Sequence, residues 1–342
     1  MGVSIPVGCE ELAPVLWIIA MSVVVLGASP TAACAGSEIL RGKYFKCRRS
    51  NSSRHEVTNA QYVEFLNAVA KADPHALFNP QMASTTQGGI TRTGAAGSYV
   101  YAVKPSVPGE GIGGAMYSYA DKPVVFVSYF DGRRFANWLH TVAGAGADTE
   151  HGAYDTRSSS NPRRTTEARF FLPTFSEWYK AGYHKNDGVT ANYWDFPTGT
   201  NVTPNHNLPT LDTGDSANFH DGPPDSSGLT TGDRRYPLTP VGAYQLSTSP
   251  YGTFDQGGNV FEVLEDRGEV FGGSWERFSR DLMLPFRTTA GAFPFEYEDR
   301  GFRLAAAMPV PEPCSIALVL PALAACHLIR RTRTHRHEQV VS

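Results

Sequence analysis

The sequence of 342 residues predicts an α+β protein with few helices, short strands and a large irregular fraction. It contains 33 glycines and 24 prolines, whereas only 18% of its residues are charged. This composition favours a loop-rich globular protein over a helical bundle. The segments with helical or strand periodicity are short and lie far apart, and the chain is long enough to bury a substantial core in one large domain.

Three segments predict helices. The first follows Thr58, a suitable N-cap, and the apolar residues on its inner face are Tyr62, Phe65, Leu66 and Val69. The second runs from Phe130 to Leu139, with its aromatic residues facing inward, and the third runs from about Thr174 to Tyr183. Three short amphipathic helices agree with the predicted class.

Two apolar runs predict strands, at residues 99–103 and 124–127. The span 192–240 is rich in Pro, Gly, Asn and Asp and has little periodicity. Because so long a coil is uncommon in an ordinary domain, we expect something to hold it in place, and calcium is the best candidate in the sequence.

Charge excludes some classes of partner. The chain has 30 Lys and Arg against 33 Asp and Glu, a net charge of -3, and no basic cluster inside the central domain. Nucleic-acid binding is therefore not expected.

The N-terminus predicts a secretory signal over residues 1–35. An apolar run at 12–26 precedes Ala33-Cys34-Ala35, a small-x-small pattern typical of signal cleavage, although no Lys or Arg precedes the run. The alternatives are a degenerate lipoprotein site at Cys34 and a buried core helix. Export is the expectation.

The C-terminal residues 309–342 contain Val310-Pro-Glu-Pro313, an apolar stretch at 314–329 and an arginine-rich tail. This order resembles the PEP-CTERM sorting signal, which implies an exosortase-like partner and a place at the envelope, outer surface or extracellular matrix of a Gram-negative bacterium. Sixteen residues of helix span about 24 Å, short of a ~30 Å hydrocarbon core, but the flanking arginines can snorkel. A transmembrane helix at 314–329 is therefore predicted; a core helix is the alternative.

Cysteine use agrees with export. Of five cysteines, only Cys47 lies in the mature domain, residues 36–308. One cysteine cannot form an internal disulfide, so core burial, with or without a metal, must stabilise the domain.

The most specific motifs lie near the C-terminal end of that domain. They are Tyr251-Gly-Thr-Phe-Asp-Gln-Gly-Gly-Asn-Val-Phe-Glu262, then Phe271-Gly-Gly-Ser-Trp275, then Arg300-Gly-Phe-Arg303. This ordered set resembles the signature of the formylglycine-generating enzyme, or sulfatase-modifying factor, family. Three earlier blocks resemble the family in the expected order: 56–65, 122–129 and 171–178. The resemblance implies a variant of the C-type lectin fold over most of the chain.

Active members of that family carry two cysteines, three and eight residues beyond the Gly-Gly-Ser serine, which bind copper(I) and oxidise a substrate cysteine to formylglycine. Here those positions are Arg277 and Leu282. A linear copper(I) site needs two soft thiolates. Copper is therefore not expected, and neither is formylglycine formation by the copper mechanism.

The resemblance also implies two structural calcium sites. For the first, Asn218 and Asp233 would supply side chains and Phe219 and Arg235 their carbonyl oxygens. For the second, the ligands would be the carboxylates of Asp255 and Glu262 and the carbonyl oxygens of Gly258 and Val260. Ordinary turn chemistry is the alternative for both sets, since turns prefer Asn, Asp and Gly.

Other catalytic motifs lack support. The histidines of the domain show no His-x-Glu or His-x-x-x-His pairing for zinc or iron, and neither a Gly-x-Ser-x-Gly elbow nor a phosphate loop occurs. No catalytic residue is therefore assigned.

What remains is a binding surface in the family's substrate cleft. The candidate residues are Phe261, Ser274, Trp275, Arg277 and Arg287, and an aromatic and arginine-rich groove would suit a peptide, a sulfated sugar or a polysaccharide. The alternative places Trp275 in the core and the arginines in internal ion pairs. Whether the chain is an enzyme stays open: a non-oxidase binding protein is favoured, and an active family oxidoreductase and a purely structural matrix component are its rivals.

Overall fold

The computed structural model describes residues 53–141, 147–157, 163–222, 226–266, 270–283 and 295–307. Within these ranges the helices are α1 (Asn59–Val69), α2 (Gln81–Ser84), α3 (Tyr129–His140), α4 (Phe175–Tyr183) and α5 (Ser279–Leu282). The strands are β1 (Ile90–Thr93), β2 (Val100–Val103), β3 (Phe170–Phe171), β4 (Phe261–Val263), β5 (Val270–Phe271), β6 (Arg300–Gly301) and β7 (Ala305–Ala306). The fold is α+β, as predicted, and long irregular segments connect its short elements.

The three predicted helices are confirmed, and each begins at a capping box. Thr58, Ser128 and Thr174 accept a hydrogen bond from the backbone N–H three residues on, and the side chain at that third residue accepts one from the backbone N–H of the cap. Each cap satisfies helix N–H groups that would otherwise lack partners. Capping therefore fixes where these helices start.

The strands form three small sheets. Strands β1 and β2 make an antiparallel hairpin, and β3 pairs antiparallel with β7. In the third sheet, β4 lies between antiparallel β5 and parallel β6. This sheet brings the three C-terminal signature blocks together, because β4, β5 and β6 each belong to a different one.

The predicted strand at residues 124–127 is wrong. The segment is buried, but the backbone of Phe126 is left-handed, with a φ of 60°, which no regular strand tolerates. Its neighbours bond singly to other segments: Val124 N–H donates to the Val57 carbonyl and Phe126 N–H to that of Tyr297. The apolar run therefore fills the core as an irregular segment.

The main core lies between α1, α3 and the third sheet. Phe135 of α3 packs against Phe65 of α1, with ring centroids 5.2 Å apart, and against Phe302 after β6, at 5.4 Å. A separate cluster around Trp178 of α4 packs on Phe271 of β5. Both clusters support the sheet that carries the signature.

Outside the described residues lie the predicted signal at 1–35, the sorting signal at 309–342 with its apolar stretch at 314–329, all five cysteines, and Arg287. Within the described ranges, no helix is long and apolar enough to cross a membrane.

Candidate functional site

The environments of Arg277 and Leu282, which the resemblance aligns with the copper-binding cysteines, differ sharply. The side chain of Arg277 is 48% exposed. Leu282 is fully buried and packs in a cluster with Phe196, Ala217 and Phe219. Arg277 therefore exposes a charge to solvent, whereas Leu282 lies in the core and is not accessible to a ligand.

Arg277 is held in place from two sides. Its guanidinium lies 5.6 Å from the centroid of the Phe261 ring, and its Nε is 3.8 Å from Oδ2 of Asp299. Its backbone carbonyl accepts a hydrogen bond of 2.8 Å from the N–H of His220. The aromatic ring and the carboxylate orient the cation but leave about half of its surface free for contact.

Asp299 is the carboxylate beside this arginine, and sequence reasoning missed it as a site residue. It is 5% exposed and accepts a hydrogen bond of 3.2 Å from the Ser274 hydroxyl. Burial raises its pKa, an effect opposed by Arg277 and Arg300. Its place directly before the Arg300-Gly-Phe-Arg303 block was the signal that could have identified it.

Three of the predicted ligand-contacting residues are buried. Ser274, Trp275 and Phe261 are 0%, 3% and 3% exposed. The indole of Trp275 packs in the main core, and its N–H points at the Glu298 carbonyl, 3.5 Å away. Arg277 is thus the one residue of the predicted set, within the described part of the chain, that a ligand can reach directly.

Exposed aromatic and basic side chains lie next to Arg277 and Asp299 in the chain. Phe278 is 38% exposed and Tyr297 43%, and the Arg280 guanidinium lies 5.6 Å from the Phe278 ring centroid. We call Arg277, Phe278, Arg280 and Tyr297 the Arg277 surface. Its two chain segments meet at the Arg277–Asp299 contact.

The second predicted calcium set is arranged around a cation that the protein itself supplies. Glu262 accepts hydrogen bonds from Arg303 at both carboxylate oxygens, 2.6 Å from Nε and 2.5 Å from Nη2, and Oε2 also accepts from Trp178 Nε1 at 2.8 Å. A calcium ion would have to share these oxygens with a guanidinium. Glu262 therefore does not fit the role that the resemblance implies.

The other carboxylate of that set lies close by in a different environment. Oδ2 of Asp255 accepts the N–H of Gly242 at 2.5 Å, and burial raises the pKa of this carboxyl to about 6. Across the described ranges, no three His, Cys, Asp or Glu side chains converge as a metal-binding group. The second set is thus a buried charge network in which Arg303 neutralises Glu262.

Glu56, from the first family-like block, is the third carboxyl of this network. Its Oε1 accepts a hydrogen bond of 3.1 Å from Asn259 Nδ2, while its buried Oε2 has no partner among the residues that the structure describes. Burial, reinforced by the charge of Asp255, raises its pKa well above the usual range. Three buried carboxyls thus lie near one guanidinium, and the pKa values of two of them, Glu56 and Asp255, are raised.

The first predicted calcium set combines a buried amide with a carboxylate near the surface. Asn218 is buried, and its Nδ2 donates to the Pro237 carbonyl at 2.9 Å and to Asn259 Oδ1 at 3.1 Å. Asp233 lies near the surface, where its Oδ2 accepts from Arg235 Nη2 at 3.0 Å. An exposed ion pair of this kind is worth at most about 1 kcal/mol, so a calcium ion could displace it.

The carbonyl oxygens of that first set differ in availability. The Phe219 carbonyl already accepts a hydrogen bond of 2.9 Å from the Thr230 hydroxyl. Arg235, in the same short segment as Asp233, would contribute its carbonyl. Asp233 and Arg235 lie two residues apart in the chain, whereas the Phe219 carbonyl would have to exchange its hydrogen bond for a metal.

Residues 50–308 match the family model described as the sulfatase-modifying factor enzyme 1-like domain. This match spans more than half of the chain, and the protein belongs to that family. The site described above therefore lies on a sulfatase-modifying factor enzyme 1-like domain.

The solved structures that are similar to the chain include the following three. The crystal structure of CarF shares 21% identity over 75% of this chain and 86% of its own, with a TM-score of 0.40. PvdO from Pseudomonas aeruginosa shares 16% over 75% and 80%, with a TM-score of 0.37. Treponema denticola variable protein 1 shares 18% over 55% and 72%, with a TM-score of 0.36. No curated protein matches the chain.

Proposed function

We propose that this protein is an exported, non-oxidase member of its family that binds an anionic peptide or polysaccharide at the Arg277 surface. The observation that carries the proposal is the exposed guanidinium of Arg277 at the first copper position, oriented by Phe261 and Asp299. Arginine pairs bidentately with carboxylate and sulfate groups, and exposed aromatic side chains add contact area at low entropic cost.

Oxidase chemistry has little to support it at this surface. The copper mechanism needs two thiolates, and the corresponding side chains are a guanidinium and a leucine that is committed to the core. An active family oxidoreductase is the rival proposal, and it requires ligands other than Arg277 and Leu282.

Calcium is proposed as a structural ion, with the first set as its site. Asp233 can exchange a weak surface ion pair for a metal ligand, whereas Glu262 would have to give up a buried one. The proposal gives calcium the task of ordering the coil between residues 192 and 240.

The proposal also includes export to the cell envelope. The signal at 1–35 would direct export, and the segment at 309–342 would be recognised by an exosortase-like enzyme, with the stretch at 314–329 in the membrane before or without cleavage. Mass spectrometry of the protein isolated from cell-envelope and matrix fractions tests both ends. A mature N-terminus near residue 36 is expected, and the C-terminus, near residue 308 or at residue 342, shows whether the tail is cleaved. A cytoplasmic chain with both ends intact would contradict export.

The binding role is tested with matched variants of the purified protein. Acidic and neutral polysaccharides and peptides are compared for binding to the wild type, Arg277→Ala, Arg277→Lys and the control Arg157→Ala, an exposed arginine in segment 147–157. We expect binding of acidic ligands that falls about tenfold in Arg277→Ala, roughly 1.4 kcal/mol, and less in Arg277→Lys, while thermal unfolding stays unchanged. Acidic ligands that bind all four proteins equally would argue against this surface.

The oxidase rival needs a separate measurement. The protein is loaded with copper(I), its metal content is determined, and it is incubated with a peptide that carries the sulfatase cysteine motif. Calcium without copper, and no aldehyde in the peptide, is the expected result. Stoichiometric copper together with aldehyde formation would establish the rival function.

A further inference from the structure

A cavity of about 400 Å³ opens beside the segment of residues 109–117. Its opposite wall comes from the segment 231–240, through Asp233, Tyr236 and Leu238, and Lys122 contributes from the interior. Pockets for small molecules commonly measure about 300–1,000 Å³, so this cavity is large enough for a ligand of one or two rings.

Lys122 is the unusual group in this cavity. The residue is only 5% exposed, and its Nζ lies 4.4 Å from the centroid of the Tyr117 ring. No side chain or carbonyl in the described structure hydrogen-bonds to that ammonium or pairs with it. A buried charge normally has a partner, because desolvation without one is costly.

Tyr117 presents a second unsatisfied group at the same place. Its hydroxyl is buried and makes no hydrogen bond of normal geometry in the described structure. The nearby backbone of Leu238 lowers the pKa of the phenol, but less than burial raises it. Burial nevertheless raises the pKa of Tyr117, so the phenol stays neutral and can donate a hydrogen bond. The ring is held between those of Tyr119 and Tyr236, at 5.0 and 4.9 Å.

The floor of the cavity is rigid. Asn59, at the start of α1, donates from Nδ2 to the Tyr119 carbonyl at 3.0 Å and to the Lys122 carbonyl at 3.4 Å. The Asp121 carbonyl accepts the N–H of Val241 at 2.8 Å. The backbone at Lys122 is therefore held in place before any ligand arrives, which limits the entropic cost of binding.

The acidic groups near the cavity do not neutralise Lys122. Asp233 and Glu110 both face Arg235 at the solvent-exposed rim, with distances of 3.0 and 3.6 Å to its Nη2. Asp121 precedes Lys122 in the chain and its side chain is exposed, where water screens its charge. Lys122 thus supplies the positive charge of the cavity interior.

We propose that this cavity is a binding site for a small carboxylate ligand with a ring, whose carboxylate pairs with Lys122 and accepts a hydrogen bond from Tyr117. The two donors match the two oxygens of a carboxylate, whereas a phosphate would leave charged oxygens unsatisfied. Tyr236 and Leu238 provide an aromatic and apolar wall for the ring.

The site is separate from the Arg277 surface, although the two are neighbours. Within the segment 233–236, Asp233 and Tyr236 line the cavity, while Arg234 forms an ion pair with Glu276, the residue before Arg277. Binding in the cavity does not depend on Arg277. Arg277→Ala should therefore leave it unchanged, which separates a failure of this proposal from a failure of the proposed function.

The ligand class is tested by calorimetry on the whole protein with D-glucuronate and benzoate, with D-glucose and benzyl alcohol as neutral counterparts. We expect at least one carboxylate to bind and neither neutral compound to do so. Glucuronate alone would identify a sugar acid, free or as part of a polysaccharide, and benzoate alone an aromatic acid. If neither carboxylate bound at concentrations up to ~10 mM, the proposal would be overturned.

The residues are tested with three variants. Lys122→Met removes the cation and Tyr117→Phe the hydroxyl; we expect carboxylate affinity to fall more than tenfold in the first and several-fold in the second. Neither should lower the unfolding temperature, because each removes an unsatisfied buried group. The control is Lys104→Met, a lysine that lies over the Tyr119 ring at 5.5 Å but does not line the cavity. Equal affinity in the wild type and Lys122→Met would overturn the proposal.

Discussion

Arg303 holds Glu262 by two hydrogen bonds, Nε to Oε2 at 2.6 Å and Nη2 to Oε1 at 2.5 Å, and both side chains are buried from solvent. The same guanidinium donates to the Phe254 carbonyl at 2.8 Å. One arginine at the end of the signature thus binds both the strand β4 and the turn before it. It is also the cation that faces the buried carboxyls of Glu56 and Asp255.

Replacement of Arg303 by methionine should destabilise the protein strongly. The substitution keeps much of the side-chain volume but leaves Glu262 buried without its partner, which typically costs about 3–5 kcal/mol. Urea denaturation of wild type and variant measures the difference in the free energy of unfolding.

The matched control for that experiment is Arg235→Met, which breaks an ion pair with Asp233 at the surface. Since exposed pairs contribute little, we expect a change within about 1 kcal/mol. If both variants lost the same small amount of stability, the Glu262–Arg303 pair would not be a main support of the signature sheet.

The helices α3 and α4 both begin at a capping box, and the two boxes differ in burial. The Ser128 hydroxyl donates to Asp131 Oδ2 at 2.7 Å in a buried setting, whereas Thr174 and Glu177 form their box at the half-exposed start of α4. Loss of a cap costs about 1 kcal/mol. We expect Thr174→Ala to cost about that much and Ser128→Ala about 2 kcal/mol, because buried Asp131 loses a donor that water cannot replace.

Thermal and urea unfolding of the two alanine variants measure that difference. The helix content of both should match the wild type in circular dichroism, since each helix keeps its packed face. If Thr174→Ala lost as much stability as Ser128→Ala, burial would not increase the contribution of a capping residue to the free energy of unfolding.

The helices could be predicted because their causes are local. A capping residue and apolar spacing over ten residues or so are visible in the sequence, and α1, α3 and α4 follow them. The run at 124–127 has strand composition as well, but its conformation depends on distant partners, Val57 and Tyr297, and on the left-handed Phe126. Strand β1 has no clear pattern of its own and is defined by its pairing with β2.

The site shows the same division. The family could be predicted from motifs, since these are short and occur in a fixed order. The role of Glu262 could not, because its partner Arg303 lies 41 residues further along the chain. The exposure of individual side chains could not be predicted from the motifs either. Trp275 and Arg277 are two residues apart, yet Trp275 is buried in the core and Arg277 lies at the surface.

Calcium binding should depend on Asp233 and not on Glu262. We expect calcium to raise the unfolding temperature of the wild type relative to protein treated with a chelator, since a ligand that binds only the folded state stabilises it. Asp233→Asn should abolish most of that increase. Glu262→Gln should lower stability with and without calcium and leave the increase itself in place.

Calorimetric titration of each variant with calcium gives the stoichiometry directly. One ion per chain is expected for the wild type and for Glu262→Gln. Two ions, one of them lost in Glu262→Gln, would mean that Glu262 binds calcium despite its pairing with Arg303, as the sequence first suggested.

Lys122 should give the protein two opposite responses to alkaline pH. Burial lowers its pKa from 10.5 to about 8, an effect that neighbouring Asp121 opposes. Between those two values the unfolded chain binds a proton that the folded chain lacks, so the free energy of unfolding contributed by this group rises as the pH increases from 8 to 10.5. Below pH 8 the amine is charged in both states and the cost of burying it stays constant.

Carboxylate binding needs the ammonium, so its affinity should fall about tenfold per pH unit above 8, while the stability contribution rises. Tyr117 does not interfere, because burial keeps its phenol neutral over this range. Denaturation and calorimetry from pH 7 to 10 on the wild type and Lys122→Met measure both trends, and the variant should lack each of them. An affinity for carboxylates that stays constant up to pH 10 would show that the ligand pairs with a group other than Lys122.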